Sequence, residues 1–358
     1  MRLAAIASAL AIVLCVAVFG AIFLQKSSDL AALVSPPAPT TPTEGRAPEA
    51  VVRAMDNPAA SRANAAEAPV VVAQAPAAPL PAPMPTSCSN PNALGVARVV
   101  EIDTTGGPGF GFEHFKSHDF LREGEVVLTF DDGPWPKNTP AVLAALAAHC
   151  TKAIFFPIGT HATYEPSILK QVAAAGHAVG SHTWCHQDLS KTKGKCLING
   201  KVQAVEYDPK DEIEKGISAV RWAVGGPTAP YFRFPALRQP PELIDYLGKR
   251  NIAIFSTDFD SFDFKMRKPE QVRQAVMAKL KKHGKGIALM HDFQHATAEA
   301  AMDLLNDLKA AGYKVVFMKP KSPVTTIASY DEEILKLTKG PGGGDAKPTS
   351  SVVRTIAE

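Results

Sequence analysis

The chain has 358 residues, enough for one large domain or two. Lys and Arg (38) nearly balance Asp and Glu (35), for a formal net charge of +3. No basic stripe is present, so there is no reason to expect nucleic acid as a partner.

Residues 3–24 are almost unbroken apolar sequence, with Arg2 before them and Gln25-Lys26 after. At about 1.5 Å rise per residue, such a helix crosses a hydrocarbon core of about 30 Å. A cleaved signal peptide has a shorter apolar core, about 7–15 residues, and a small-residue cleavage site. Val18-Phe19-Gly20 is a candidate for that site, so both readings stand, with the uncleaved anchor preferred. The expected location is the inner (cytoplasmic) membrane, single-pass, with the folded domain on the periplasmic or extracellular side. Residues 1–25 are thus a transmembrane anchor or signal sequence, and 26–86 a disordered linker rich in Pro and Ala. Proline as dense as in PPAPTTPTEGRAPE blocks helices and favours stiff, extended polyproline II. The C-terminal tail, 326–358, is expected to be partly disordered, with GPGGGDAKPTSS from Gly340 onward.

Of the 5 cysteines, Cys15 lies in the apolar segment; the others are Cys88, Cys150, Cys185 and Cys196. An oxidising compartment permits two disulfides among these four. Cys185–Cys196, closing a short Lys-rich loop, is the first pairing to test, and free thiols remain open.

Between 87 and 325 the pattern is strand, loop, helix, repeated. Strand-like runs fall at 97–102, 126–130, 153–158, 178–182, 231–234, 252–257, 287–290 and 314–318. Helix-like runs fall between them, at 139–149, 166–175, 211–223, 240–249, 269–282 and 298–311. This alternation predicts an α/β domain of parallel strands with helices outside, closed or nearly closed into a barrel.

Polar residues collect at the strand C-termini, where such folds place their chemistry. VVLTFDDGP ends in Asp131 and Asp132, whose side chains point to opposite sides of an extended backbone. One can bind a metal while the other serves as a base. SHTWCHQDLS carries His182 and His186, four apart, a spacing that on a helical turn puts both imidazoles on one face. Two imidazoles and a carboxylate make an open divalent-metal site suited to Zn²⁺, and also to Co²⁺, Mn²⁺ or Ni²⁺. Asp131 and His291, on distant tips, are the candidate base and acid. Arg233 is expected to orient Asp131, and Asp260 to hold His291 protonated. A backbone N–H near Ala236 is the candidate oxyanion donor. This set supports metal-assisted hydrolysis of an amide or ester.

In order and spacing, TFDDGP, SHTWCH, RFP, DSFDF and LMH resemble the five motifs of the polysaccharide deacetylase family (the NodB-homology domain, carbohydrate esterase family 4). The resemblance covers roughly 124–320 and implies a distorted (β/α) barrel. Carried over by position, it implies Asp131 as catalytic base and Asp132, His182 and His186 as metal ligands. Arg233 would orient the base, Asp260 tune the acid, and His291 act as that acid. Leu289 would line the acetyl-methyl pocket. Two motifs depart from the family pattern: Ala236-Leu237 replace an aromatic and a glycine, and Phe264 replaces a Trp. Trp135 and Trp184 are candidates to stack on a sugar. Asp258 and Asp263 read as structural caps, and His161 as an ordinary surface histidine. The expected activity is removal of N-acetyl groups from amino sugars of a glycan such as chitin oligomer, peptidoglycan or exopolysaccharide. O-acetyl ester hydrolysis on xylan or another acetylated glycan is the alternative, and a non-catalytic glycan-binding module the rival from another class.

Overall fold

The computed structural model describes residues 88, 90–198 and 201–339; the expected anchor (1–25), the whole of the expected linker (26–86) and the tail from 340 lie outside the described residues. Among the described residues no helix is long and apolar enough to cross a membrane.

The strands are β1 (Arg98–Ile102), β2 (Gly109–Phe110), β3 (Glu125–Asp131), β4 (Ile154–Phe156), β5 (Ala178–Val179), β6 (Lys193–Ile198), β7 (Lys201–Glu206), β8 (Tyr231–Phe232), β9 (Ala253–Phe255), β10 (Phe259–Asp260), β11 (Gly286–His291) and β12 (Lys314–Pro320). The α-helices are α1 (Asn138–Ala148), α2 (Gly159–Tyr164), α3 (Pro166–Ala174), α4 (Pro209–Val224), α5 (Pro241–Lys249), α6 (Pro269–His283), α7 (His295–Ala310) and α8 (Ala328–Lys339).

β3 is the centre. All of its residues are buried, as the continuous apolar run of a parallel strand covered on both faces requires. It pairs in parallel with β11, β12 and β4. Pairing continues from β4 to β5, and a Ser181–Phe232 bridge leads on to the β8, β9 and β2 sheet. Among the described residues no strand pairing joins β9 to β10, so hydrogen bonding shows parallel sheets rather than one closed ring. Because these strands are parallel, their C-termini share one face, and the β3–β11 register sets Asp131 directly opposite His291.

Two elements form where the sequence pattern predicts no regular structure. The Lys-rich loop is an antiparallel hairpin of β6 and β7. Its residues are mostly exposed, so no buried face leaves an alternating apolar signal. Cys185–Cys196 staples it to the preceding turn, and Cys88–Cys150 ties the segment before β1 to the end of α1. α8 falls beyond the boundary drawn at 325 and packs on α4. Ile334 is buried, Lys215 pairs with Glu333 at 2.5 Å, and Arg221 with Asp331 at 3.3 Å.

Candidate active site

Asp131 is the last residue of β3 and is buried. Its Oδ1 accepts from Arg233 Nη1 at 2.7 Å. The fully buried guanidinium also donates to Thr129 Oγ1 at 2.8 Å and to the carbonyls of Phe255 and Ser256 at 3.2 and 2.9 Å. It lies 4.4 Å over the Phe156 ring. A buried arginine needs such a complete partner set, and here that set fixes how Asp131 is turned.

The chain then leaves the strand with Asp132 at φ 72°, swinging its carboxylate to the other side. Asp132 Oδ1 lies 3.5 Å from His182 Nε2 and 3.5 Å from His186 Nε2. That oxygen is buried and has no hydrogen-bond partner. His182 donates Nδ1–H to the Arg233 carbonyl at 2.7 Å, which leaves the Nε2 lone pair facing Asp132. Burial pushes the His182 imidazole down to about 4, only partly offset by Asp131 and Asp132. Burial alone would raise the Asp132 carboxyl, but His186, His182 and His291 together hold it low. One donor atom from each of Asp132, His182 and His186 lies within 4.8 Å of the others. An orphaned buried carboxylate oxygen between two imidazole lone pairs fits one divalent cation.

The two histidines do not sit on a helix. Thr183 and His186 have φ 68° and 54°, so the segment is an irregular turn that brings the rings to 4.9 Å. α4 supports it: Trp184 N–H donates to the Glu212 carbonyl at 2.8 Å and Cys185 N–H to Glu212 Oε2 at 2.9 Å. This turn also points Trp184 away from the cleft. Its ring packs against Gly159 under Lys215, whose Nζ is 4.8 Å from the ring centroid, so the sugar-stacking assignment of Trp184 is corrected.

His291, the last residue of β11, has its Nε2 4.0 Å from Asp132 Oδ2. The acidic partner expected for it was Asp260, and this too is corrected. His291 Nδ1 bonds Asp263 Oδ1 at 2.6 Å, and His291 N–H donates to Asp263 Oδ2 at 2.8 Å. Thr297 Oγ1 completes the shell of the fully buried Asp263. Burial works against a charged imidazole, but the Asp263 hydrogen bond and charge win and raise His291 to about 9. Asp260 Oδ1 instead accepts the Phe262 N–H at 2.8 Å. Asp263, read from sequence as a cap, is the residue that holds the acid.

These groups open on a cleft of about 1660 Å³ that includes Leu289, Ala236 and Phe264 in its lining. Phe264 stands edge-on to His291, with ring centroids 5.5 Å apart. Ala236 has φ 51° in a short 3₁₀ turn. Trp135 is not part of the lining; it is 41% exposed and packs against His161 and the cleft residue Phe293. Two residues were missed. His161 donates Nδ1–H to the Asp132 carbonyl at 2.7 Å. Asp292, buried and therefore raised to about 7, accepts the Gly133 N–H at 3.1 Å and bonds Thr139 Oγ1. Gly133 packs directly on Asp292: a Cβ at Gly133 would sit 2.2 Å from Asp292 Oδ2. Gly133→Ala is therefore expected to destabilise the fold by about 1–3 kcal/mol, measurable by urea unfolding.

Residues 120–254 match the family model described as polysaccharide deacetylase. Over these residues the chain is similar to the polysaccharide deacetylase family. It is 32% identical over 197 residues to the peptidoglycan-N-acetylglucosamine deacetylase PgdA of Listeria monocytogenes, covering 53% of this chain and 37% of that protein. The chain thus spans little more than a third of that relative. It is 29% identical over 167 residues to a chitooligosaccharide deacetylase of Bradyrhizobium, covering 47% of this chain and 70% of that protein. Among solved structures, the Bdellovibrio bacteriovorus peptidoglycan deacetylase Bd3279 aligns with a TM-score of 0.55 at 30% identity, covering 66% of this chain and 63% of that one.

Proposed function

We propose that this protein is a metal-dependent hydrolase that removes N-acetyl groups from amino sugars of a poly- or oligosaccharide and releases acetate. The observation that carries this is the convergence of Asp132, His182 and His186 on one point, with Asp131 beside it and His291 on the other side. The names of the matched relatives, which act on peptidoglycan and on chitooligosaccharides, support the substrate class. Asp132, His182 and His186 would hold one divalent cation, Zn²⁺ first, which supplies Lewis acidity toward the acetyl carbonyl. Asp131, fixed by Arg233, takes a proton from the attacking water. His291, kept protonated by Asp263, gives a proton to the departing amine. The Ala236 N–H is the candidate donor to the developing oxyanion, and Leu289 meets the acetyl methyl. Residues 1–25 and the proline-rich linker would tether this domain to the inner membrane, within reach of envelope glycans.

The test is acetate release by the purified, metal-loaded protein from acetylated chitin oligomers, acetylated peptidoglycan and acetylated xylan. Release from the first two is expected. Release from xylan alone would replace the amide reading with an ester one, and release from none would sink the hydrolase. Asp132→Ala is expected to weaken metal binding more than about 100-fold in a calorimetric titration, since it removes the only carboxylate of the cluster.

A further inference from the structure

Asp260 is free of the role its sequence position suggested, and its contact points elsewhere. Its Oδ1 holds the Phe262 N–H, while Lys265 N–H bonds the Phe262 carbonyl at 3.0 Å. Between these bonds Phe262 is kept at φ 57°. A bulky residue takes that left-handed conformation only where its surroundings over-determine it, and such residues gather at ligand clamps. The result is a phenyl ring that is 41% exposed and lines the cleft. It stands one ring beyond Phe264, at 6.1 Å between centroids, while Phe264 stands against His291. Lys279 and Lys265 ammonium groups lie 4.2 and 4.7 Å from the Phe262 ring centroid and hold it in place.

The same cleft is lined by Glu113 and by His114, whose Nδ1 is tied to Ser256 Oγ at 2.7 Å. Exposed phenyls together with a carboxylate and an imidazole match a pyranose unit, which has an apolar C–H face and a hydroxyl rim. The cleft, about 1660 Å³, exceeds the roughly 300–1,000 Å³ typical of a small-molecule pocket.

We propose that Phe262 is a glycan-binding residue that packs on the sugar unit next to the one being deacetylated, and that Asp260 is its positioning residue. This rests on the glycan-deacetylase reading above and deepens it by assigning the neighbouring sugar unit its own contact residue.

The test uses the metal-loaded protein with an acetylated chitin pentamer and with N-acetylglucosamine. Phe262→Gly is expected to lower the pentamer-to-monomer ratio of kcat/KM about tenfold, through KM, the scale of one lost aromatic contact. Glycine accepts φ 57°, so the thermal midpoint should not fall, which separates lost binding from lost folding. Phe262→Tyr should restore the ratio, and Asp260→Ala should lower it in the same direction. Calorimetric titration of the pentamer onto proteins that also carry Asp131→Asn reads the same contact without turnover, so an inactive wild type would sink the deacetylase reading while the Kd comparison still judges the subsite. A Phe262→Gly protein whose pentamer KM and Kd stay within twofold of wild type would overturn the proposal.

Discussion

Asp131→Asn is expected to lower kcat by about 10²–10⁴-fold, the usual contribution of a positioned general base, while metal affinity is retained. The substitution is isosteric. Its amide oxygen still accepts from Arg233, so the buried guanidinium keeps a full partner set. The carboxamide cannot take a proton from water at neutral pH. The three candidate ligands are untouched, because Asp131 Oδ2 stands 3.9 Å from His182 Nε2 and is not a member of the cluster. Two measurements decide it: single-turnover kinetics and calorimetric metal titration. An Asn variant with more than about a tenth of wild-type turnover would remove Asp131 from the role of base. Loss of metal together with turnover would place it among the ligands instead.

Asp263→Asn is expected to move the alkaline limb of the pH–rate profile by more than one pH unit and to cost about 100-fold in kcat/KM at pH 8. His291 must be protonated to donate. Its folded-state pKa is raised to about 9, above the roughly 6.5 of an unperturbed imidazole, because Asp263 accepts its Nδ1–H and carries the opposing charge. Activity in the wild type should therefore hold through neutral pH and fall as pH rises through about 9. Without the Asp263 charge, burial is the main remaining influence, and burial lowers a histidine. The limb then moves to lower pH. Stability follows with the same sign. A raised histidine contributes stability that is fully present below the unfolded value of about 6.5 and lost as pH rises through the folded value. Urea unfolding at pH 6 and at pH 9.5 should differ in the wild type and differ less in Asp263→Asn. Asp260→Asn is the control: its limb should stay where the wild type has it. A limb that moves with Asp260 and not with Asp263 would return the tuning role to Asp260.

The local chain was readable because its signals are local. A buried parallel strand must be apolar throughout, so VVLTF announced β3, and the carboxylates after it had to lie at a strand tip. His182, His186, Arg233 and His291 were legible for the same reason, each following a short apolar run at the face where parallel strands end. The β6–β7 hairpin and α8 were not legible. The first buries little, and the second is buried mainly at Ile334 and fixed by ion pairs to α4, which the tail's composition does not reveal.

Periodicity and composition act over a few residues, so the chain pattern alone carries the parallel α/β plan, the donor types and the strand tip that bears each. Which of Asp258, Asp260 and Asp263 meets His291 depends instead on long-range packing. They lie within one short stretch, and the left-handed Phe262 followed by a 3₁₀ turn carries Asp263 to the histidine while Asp260 caps the turn itself. Likewise the turn at Thr183 sends Trp184 inward although His182 and His186 face the cleft. Spacing along a chain ranks side chains only while the backbone stays regular; once φ turns positive, direction is set by the packing of distant elements.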